Sequence, residues 1–227
     1  MLFFCYDVQM NKYLILIILL LFPYSIFAFN PILNSVITPY EPMVVSGRIE
    51  EEAQYLGHLI GDPQMYEFTI GVESLLSVRV AQKDTESPLL LSIITVKENT
   101  NNAGVTEIGR LSAGMSELVS RKDTVLGMTF LESQFFTATL TPGTYRVEVS
   151  TPDNLGKYLL SIGTKSADVN YFTTLSNIRT VQKFFDYSIF ALLSSSYIKY
   201  PLGIIILSIL IYFTWRKRML IQNIKHR

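Results

Sequence analysis

Histidine-based nucleophilic catalysis in this 227-residue chain would have to use His58, since the only other histidine, His226, sits in a basic tail. A serine, histidine and aspartate relay needs a nucleophile on a sharp turn and a base oriented by a carboxylate. His58 instead lies in an alternating run over residues 54–60, beside Gly57, with no nucleophile-elbow sequence near it. We read it as a strand histidine. The sequence has no pair of histidines for zinc and no HExxH. The single cysteine, Cys5, excludes an intrachain disulfide, and the body has no thiol nucleophile or Cys-based metal site.

Carboxylates are plentiful but not grouped for catalysis. Glu50-Glu51-Glu52, Asp84-Thr85-Glu86 and Asp153-Asn154 all read as solvated turns. Calcium needs only oxygen ligands, so Glu50 to Glu52 is the weak metal alternative. A two-carboxylate glycosidase is set by separation in space, which sequence does not give. Gly104, Gly109 and Gly114 recur every five residues without the Lys-Ser/Thr end of a phosphate loop, so Gly109 and Gly114 are expected at bends or bulges. Phe135 and Phe136 are adjacent, so in a strand one faces the core and the other faces out. The outward ring is the candidate contact for a partner or a carbohydrate.

Charge narrows the partners. Residues 29–199 hold 13 Lys/Arg against 18 Asp/Glu, a balance of −5, whereas residues 216–227 hold five basic residues and no acidic one. A mildly acidic body does not suit a phosphate-binding surface, so no nucleic-acid partner is expected. The basic tail reads as a topology signal.

The elements that must position these residues begin with a targeting segment. From Met10, the alternative start, MNKYLILIILLLFPYSIFA has Lys12, an apolar run over residues 13–22, a Pro23 break and Ala28 at the cleavage position. A signal peptide over residues 1–28 is expected. Residues 29–43, with Pro31, Pro39 and Pro42, read as an extended lead-in.

Period-two alternation then marks short strands over 44–49, 54–60, 65–70 and 76–80. The apolar run 89–96 suggests a central strand covered on both sides, and 98–104 a loop. Weaker strands over 105–111 and 124–130 flank a stretch, 112–123, with room for a helical turn. Residues 135–140, 144–150 and 157–162 close the series. Short strands without crossover helices imply an all-β, antiparallel, jelly-roll-like β-sandwich over residues 44–166.

Thr141-Pro142-Gly143-Thr144-Tyr145-Arg146-Val147-Glu148-Val149 followed by Gly156-Lys157-Tyr158-Leu159-Leu160-Ser161-Ile162-Gly163 resembles the closing hairpin of bacterial pre-peptidase C-terminal (PPC) domains. Tyr66-Glu67-Phe68-Thr69-Ile70 resembles their Y-x-F-x-V strand. The chain departs from the pattern at Gly71-Val72-Glu73-Ser74, and again at Ser87-Pro88-Leu89-Leu90-Leu91, where an acidic D-L-Y-L motif would stand. The resemblance implies a sandwich fold and no shared catalytic residues.

Past Gly163 the period lengthens. Leu175, Ile178, Val181 and Phe185 mark an amphipathic helix over 174–185, with Thr173 or Thr174 as its cap, inside a juxtamembrane segment of residues 167–197. We expect it to pack against the sandwich. Residues 198–215 are 18 in number, about 27 Å as a helix, and read as a transmembrane span with Lys199 at the outer interface. Arg216-Lys217-Arg218 opens a cytoplasmic tail over residues 216–227.

The sequence therefore describes a single-pass membrane protein with an extracytoplasmic body and a cytoplasmic C-terminus. Its expected role is a non-enzymatic interaction or accessory module of the cell envelope. The expected partners are the membrane and an envelope protein or glycan. No catalytic residue, metal or cofactor is expected, and the alternatives are an envelope hydrolase or a carbohydrate-binding module.

Overall fold

Alternation in the sequence becomes sheet in the body. The computed structural model describes residues 30–35, 38–84, 89–99, 104–112, 118–165 and 170–225. The expected signal segment with its cleavage site, Cys5, Gly114 and His226 lie outside them. The chain divides into a body, Phe27–Ser196, and a C-terminal part, Tyr197–Arg227, each described by itself.

The larger sheet of the body contains β1 (Asn30–Leu33), β3 (Ala53–Ile60), β12 (Leu155–Ile162), β5 (Ser74–Lys83), β9 (Met128–Glu132) and β8 (Val119–Asp123), in that order. β10 (Phe136–Leu140) pairs with β5 beyond the end of β9. The smaller sheet runs β2 (Met43–Val44), β4 (Gln64–Ile70), β11 (Gly143–Ser150), β6 (Ser92–Glu98) and β7 (Val105–Leu111). Among the described strands all pairings are antiparallel except two at sheet edges, β1 with β3 and β2 with β4, and an isolated parallel bridge joins Glu51 and Lys165. The fold is all-β, a two-sheet sandwich.

Four local expectations change. The lead-in is not outside the sandwich: β1 forms an edge of the larger sheet, where Pro31 needs no second partner strand. Of the expected strand over 44–49 only Val44 is strand, as the second residue of the two-residue β2. Residues 119–123 form β8, not a helical turn; as an edge strand with Arg121 and Lys122 largely exposed, it lacks the apolar alternation of a half-buried strand. β6 lies between two strands but buries only one face, Ile93 and Thr95, because no described element covers the outside of the smaller sheet there.

Inward residues of both sheets form the main core, which includes Leu76, Val78, Val80, Ile93, Val147, Val149, Leu160 and Ile162. The tyrosines behind the PPC resemblance belong to it. Tyr66 and Tyr158 share a hydrogen bond of 2.9 Å, and Tyr158 donates to Gln64 Oε1 at 2.7 Å. Tyr145 donates to the carbonyl of Thr141 at 2.7 Å, closing the Pro142-Gly143 turn. Burial pushes the Tyr66 phenol up to about 12 and the Tyr158 phenol well above its ordinary value, so the hydroxyls of this pair stay neutral. Gly57 is what admits Tyr158: a Cβ there would lie 2.2 Å from its ring.

The expected amphipathic helix is α1 (Tyr171–Phe184). Its cap is Asn170, not Thr173 or Thr174; Asn170 Oδ1 accepts from the backbone N–H of Thr173 at 2.9 Å and from its hydroxyl at 3.0 Å. Thr174, Ile178, Val181 and Gln182 are buried, so the helix packs on the sandwich as expected. Fourteen residues make about 21 Å of helix, close to the ~19 Å across five strands. α1 contacts β1, and Phe185 just past its end meets Phe130 of β9 edge-on at 5.5 Å, so it crosses the larger sheet. A short 3-10 helix, η1 (Ile189–Ser194), follows.

In the C-terminal part, α2 (Ser196–Lys225) carries a stretch, Ser196–Lys217, long and apolar enough to cross a membrane. Its 22 residues make about 33 Å. It starts two residues before the expected span, so Lys199 lies in its first turn.

Candidate functional site

Past Leu75, which is exposed near its start, the outward residues of β5 are small or charged: Ser77, Arg79, Ala81 and Lys83. Where Ala81 lies, the outer face is covered; where Arg79 lies, a cleft of about 350 Å³ opens. β9 contributes Glu132, β8 contributes Arg121 to Asp123, and β12 contributes Ser161, with Gly163 and Thr164 just beyond it. Glu52, from the expected acidic turn, forms part of the rim.

Strand pairing places the charges. Ala81 sits opposite Glu132, which brings the carboxylate beside Arg79 two residues along the same face. Arg79 Nη1 donates to Glu132 Oε2 at 2.7 Å, and Arg121 Nη1 lies 3.9 Å from the same oxygen. Glu132 is one-ninth exposed at its side chain and Arg79 less than one-fifth. Burial raises the Glu132 pKa, opposed by the charges of Arg79 and Arg121. Arg79 Nε is buried without a hydrogen-bond partner.

The aromatic wall comes from a break in the strand. Between β9 and β10, Ser133 Oγ accepts from the backbone N–H of Val80 at 3.1 Å and donates to the carbonyl of Gln134 at 2.9 Å. The chain shifts there, and Phe135 turns outward, 46% exposed, with the Arg79 guanidinium 4.7 Å from its ring centre. Phe136 turns inward against the main core and over Gly109 of β7. The expected division of this pair holds, and Phe135 is the outward ring. Gly109 also adjoins a register shift between β6 and β7, at the kind of bulge expected of it.

Two turns hold the rim. Asp123 Oδ1 accepts from the N–H groups of Val125 at 2.8 Å and Leu126 at 2.9 Å, so that carboxylate shapes the β8–β9 turn. At Gly163, φ is +86°, and a Cβ would lie 2.3 Å from the carbonyl oxygen of Glu51. That close approach lets Thr164 and Lys165 donate to the Glu50 carbonyl, and Lys165 pairs with the Glu50 side chain.

The cleft adjoins the end of the body, Ser195 and Ser196. Thr124, one of its lining residues, accepts from the backbone N–H of Ser196 at 2.8 Å, and Ser195 donates to the Val125 carbonyl at 2.5 Å.

Chemically, the cleft offers a forked guanidinium already paired, a second exposed guanidinium, carboxylate oxygens and the edge of an aromatic ring. This is recognition chemistry. His58 lies elsewhere, exposed on β3 opposite Lys157. Among the described residues no three His, Cys, Asp or Glu side chains gather as a metal site. Alternation over residues 76–80 sets Arg79 opposite in face to Leu76, Val78 and Val80, and nothing local connects it to Glu132, 53 positions away. One signal was present: small outward residues, Ser77, Ala81 and Ser161, mark a sheet face that something approaches closely.

No protein-family model matches the chain, and no curated protein matches it in sequence. Among solved structures it is similar to the pre-peptidase C-terminal domain of a collagenase from Bacillus anthracis, at 12% identity and a TM-score of 0.31, covering 62% of this chain and 98% of that one. It is also similar to PliG from Aeromonas hydrophila, a periplasmic inhibitor of g-type lysozyme, at 12% identity and a TM-score of 0.35, covering 60% and 98%. The first is of the kind that the closing-hairpin motif resembles; the fold class rests on the chain's own strand pairing.

Proposed function

We propose that this protein is a membrane-tethered, non-enzymatic interaction module whose cleft recognises another component of the cell envelope. In this reading residues 1–28 are removed as a signal peptide, the body is extracytoplasmic, and Ser196–Lys217 spans the bilayer. Arg216, Lys217 and Arg218 hold the C-terminus on the cytoplasmic side. The supporting length is about 33 Å against a hydrocarbon core of roughly 30 Å.

One observation carries the recognition role: the Arg79–Glu132 pair, with Phe135 across the guanidinium and Arg121 at the rim. A fixed ion pair beside a half-exposed ring suits an interface anchor, where arginine and aromatic residues are enriched. The ring also supports a second reading, a glycan stacked on Phe135.

A photo-crosslinking residue at position 121 of the full-length protein, in its native membrane, tests the first reading. Capture of one envelope protein that is lost on Phe135→Ala supports it. Glycan binding by the purified protein that depends on Phe135, without protein capture, would favour the second. Turnover of an envelope substrate abolished by Glu132→Gln would replace both with the hydrolase alternative. N-terminal sequencing of the mature protein checks the signal, and residues preceding Phe29 would count against cleavage.

A further inference from the structure

We infer that η1 is a lipid-contacting foot: Ile189, Phe190 and Leu193 dip into the bilayer interface and fix how the sandwich stands on the membrane. The inference rests on the reading of Ser196–Lys217 as a span. Ile189 is 63% exposed, Phe190 75% and Leu193 53%, three large apolar side chains within six residues. In a 3-10 helix residues three apart share a face, so Phe190 and Leu193 point the same way.

This exposure belongs to a segment tied firmly to the body. Arg179 Nη1 donates to the carbonyls of Tyr187 at 3.2 Å and Ser188 at 3.1 Å, just before η1. The Ser195 hydroxyl and the Ser196 N–H hold the β8–β9 turn just after it. Past Ile189, which is exposed at the helix's first position, Ala191 and Leu192 are half-buried and Phe190 and Leu193 exposed, so the helix has an inner and an outer side. A collapse of the apolar residues onto the body would break these ties.

The occupant of the outer side follows from chain length. Leu193 is three residues before Ser196, the first residue of the candidate span. Three residues reach at most about 10 Å when fully extended. The headgroup layer adds roughly 5–7 Å on each side of a ~30 Å hydrocarbon core. Whatever direction α2 takes, η1 is therefore confined to the membrane surface or its immediate edge. An apolar face held there meets lipid, with its side chains seated about 5–10 Å into the headgroup and acyl boundary.

The chain has a single tryptophan, Trp215, within the candidate span, which gives an internal control. Full-length protein is reconstituted into phosphatidylcholine vesicles carrying bromine either high or low on the acyl chains. Wild-type Trp215 reports on the span, and the double variant Phe190→Trp, Trp215→Phe reports on η1. The expected result is that both are quenched, with the ring at 190 losing about half its emission or more to the high bromine, as its seating depth requires, and less to the low one. Adding Ile189→Ser and Leu193→Ser should reduce that quenching, which separates a native foot from a tryptophan seeking lipid by itself. Quenching at 215 without quenching at 190 overturns the inference and leaves the span intact. If position 190 is then also shielded from aqueous acrylamide, a protein surface covers it instead. If Trp215 escapes quenching, the span reading fails and the foot fails with it.

Discussion

The outer face of the larger sheet has two halves that start from the same strands and end differently. On one half, Leu56, Ala81, Phe130 and Leu159 point outward and α1 lies over them, adding Ile178, Val181 and Phe185. On the other, the outward residues of β5, β9 and β8 are Arg79, Glu132 and Arg121, and no helix follows. Both halves bury side chains, but only one removes apolar surface from water without exchanging charge for solvent. The difference separates what holds the body together from what faces a partner. A strand can serve both, since Arg79 and Ala81 are two residues apart on the same face of β5.

The comparison breaks most sharply at the covered half. Phe185→Ala removes a side chain 2% exposed that meets both Phe130 and Phe184 edge-on. Truncating a buried phenylalanine costs about 3–5 kcal/mol. We expect thermal unfolding of the full-length protein in detergent to shift down accordingly, with α1 becoming sensitive to protease before the sheets. Loss of stability below about 1 kcal/mol would mean that the helix only rests on the sheet.

Arg79→Met is the matching change in the cleft, with a smaller expected cost of about 1–3 kcal/mol, because Glu132, largely buried, is left with only the weaker pairing to Arg121 at 3.9 Å. The pH dependence gives the sign independently. Glu132 has its pKa raised in the folded protein, first by burial. Its contribution to stability is therefore fully present below the unfolded value and is lost as pH rises through the folded one. Glu132→Gln removes that dependence. Denaturation of wild type and variant from acid to neutral pH should show the variant gaining on wild type as pH rises. A variant that instead loses ground to wild type as pH rises would mean that Arg79 outweighs burial.

The covered half was more legible in the sequence than the cleft, for a physical reason. Ile178, Val181 and Phe185 repeat at helical spacing, a local signal that survives without knowing the fold. Tyr66, Tyr145 and Tyr158 stood in short motifs because each completes a turn or pairs near one. The cleft joins residues from β5, β8, β9 and β12, and only strand order and register bring them together. β8 hid because an edge strand of Arg121 and Lys122 reads like a loop. The lead-in hid because Pro31 argues against a central strand and is silent about an edge. Phe135 was found as half of a pair, but its role as cleft wall depended on the break at Ser133.

Phe135→Ala should have the smallest effect on folding and still cancel recognition. The ring is 46% exposed and touches the Arg79 guanidinium on one side, a contact worth about 0.5–1 kcal/mol at an exposed site. Arg79 keeps its bond to Glu132 at 2.7 Å, so the ion pair stays in place when the ring is gone. Unfolding should move by no more than that contact, far less than for Phe185→Ala, while crosslinked capture from position 121 disappears. A drop in stability as large as that of Phe185→Ala would show that the uncovered half is also structural core, and the contrast between the halves would collapse. Retained capture with unchanged stability would move the recognition surface away from the ring, toward Arg121 and Lys122 at the edge.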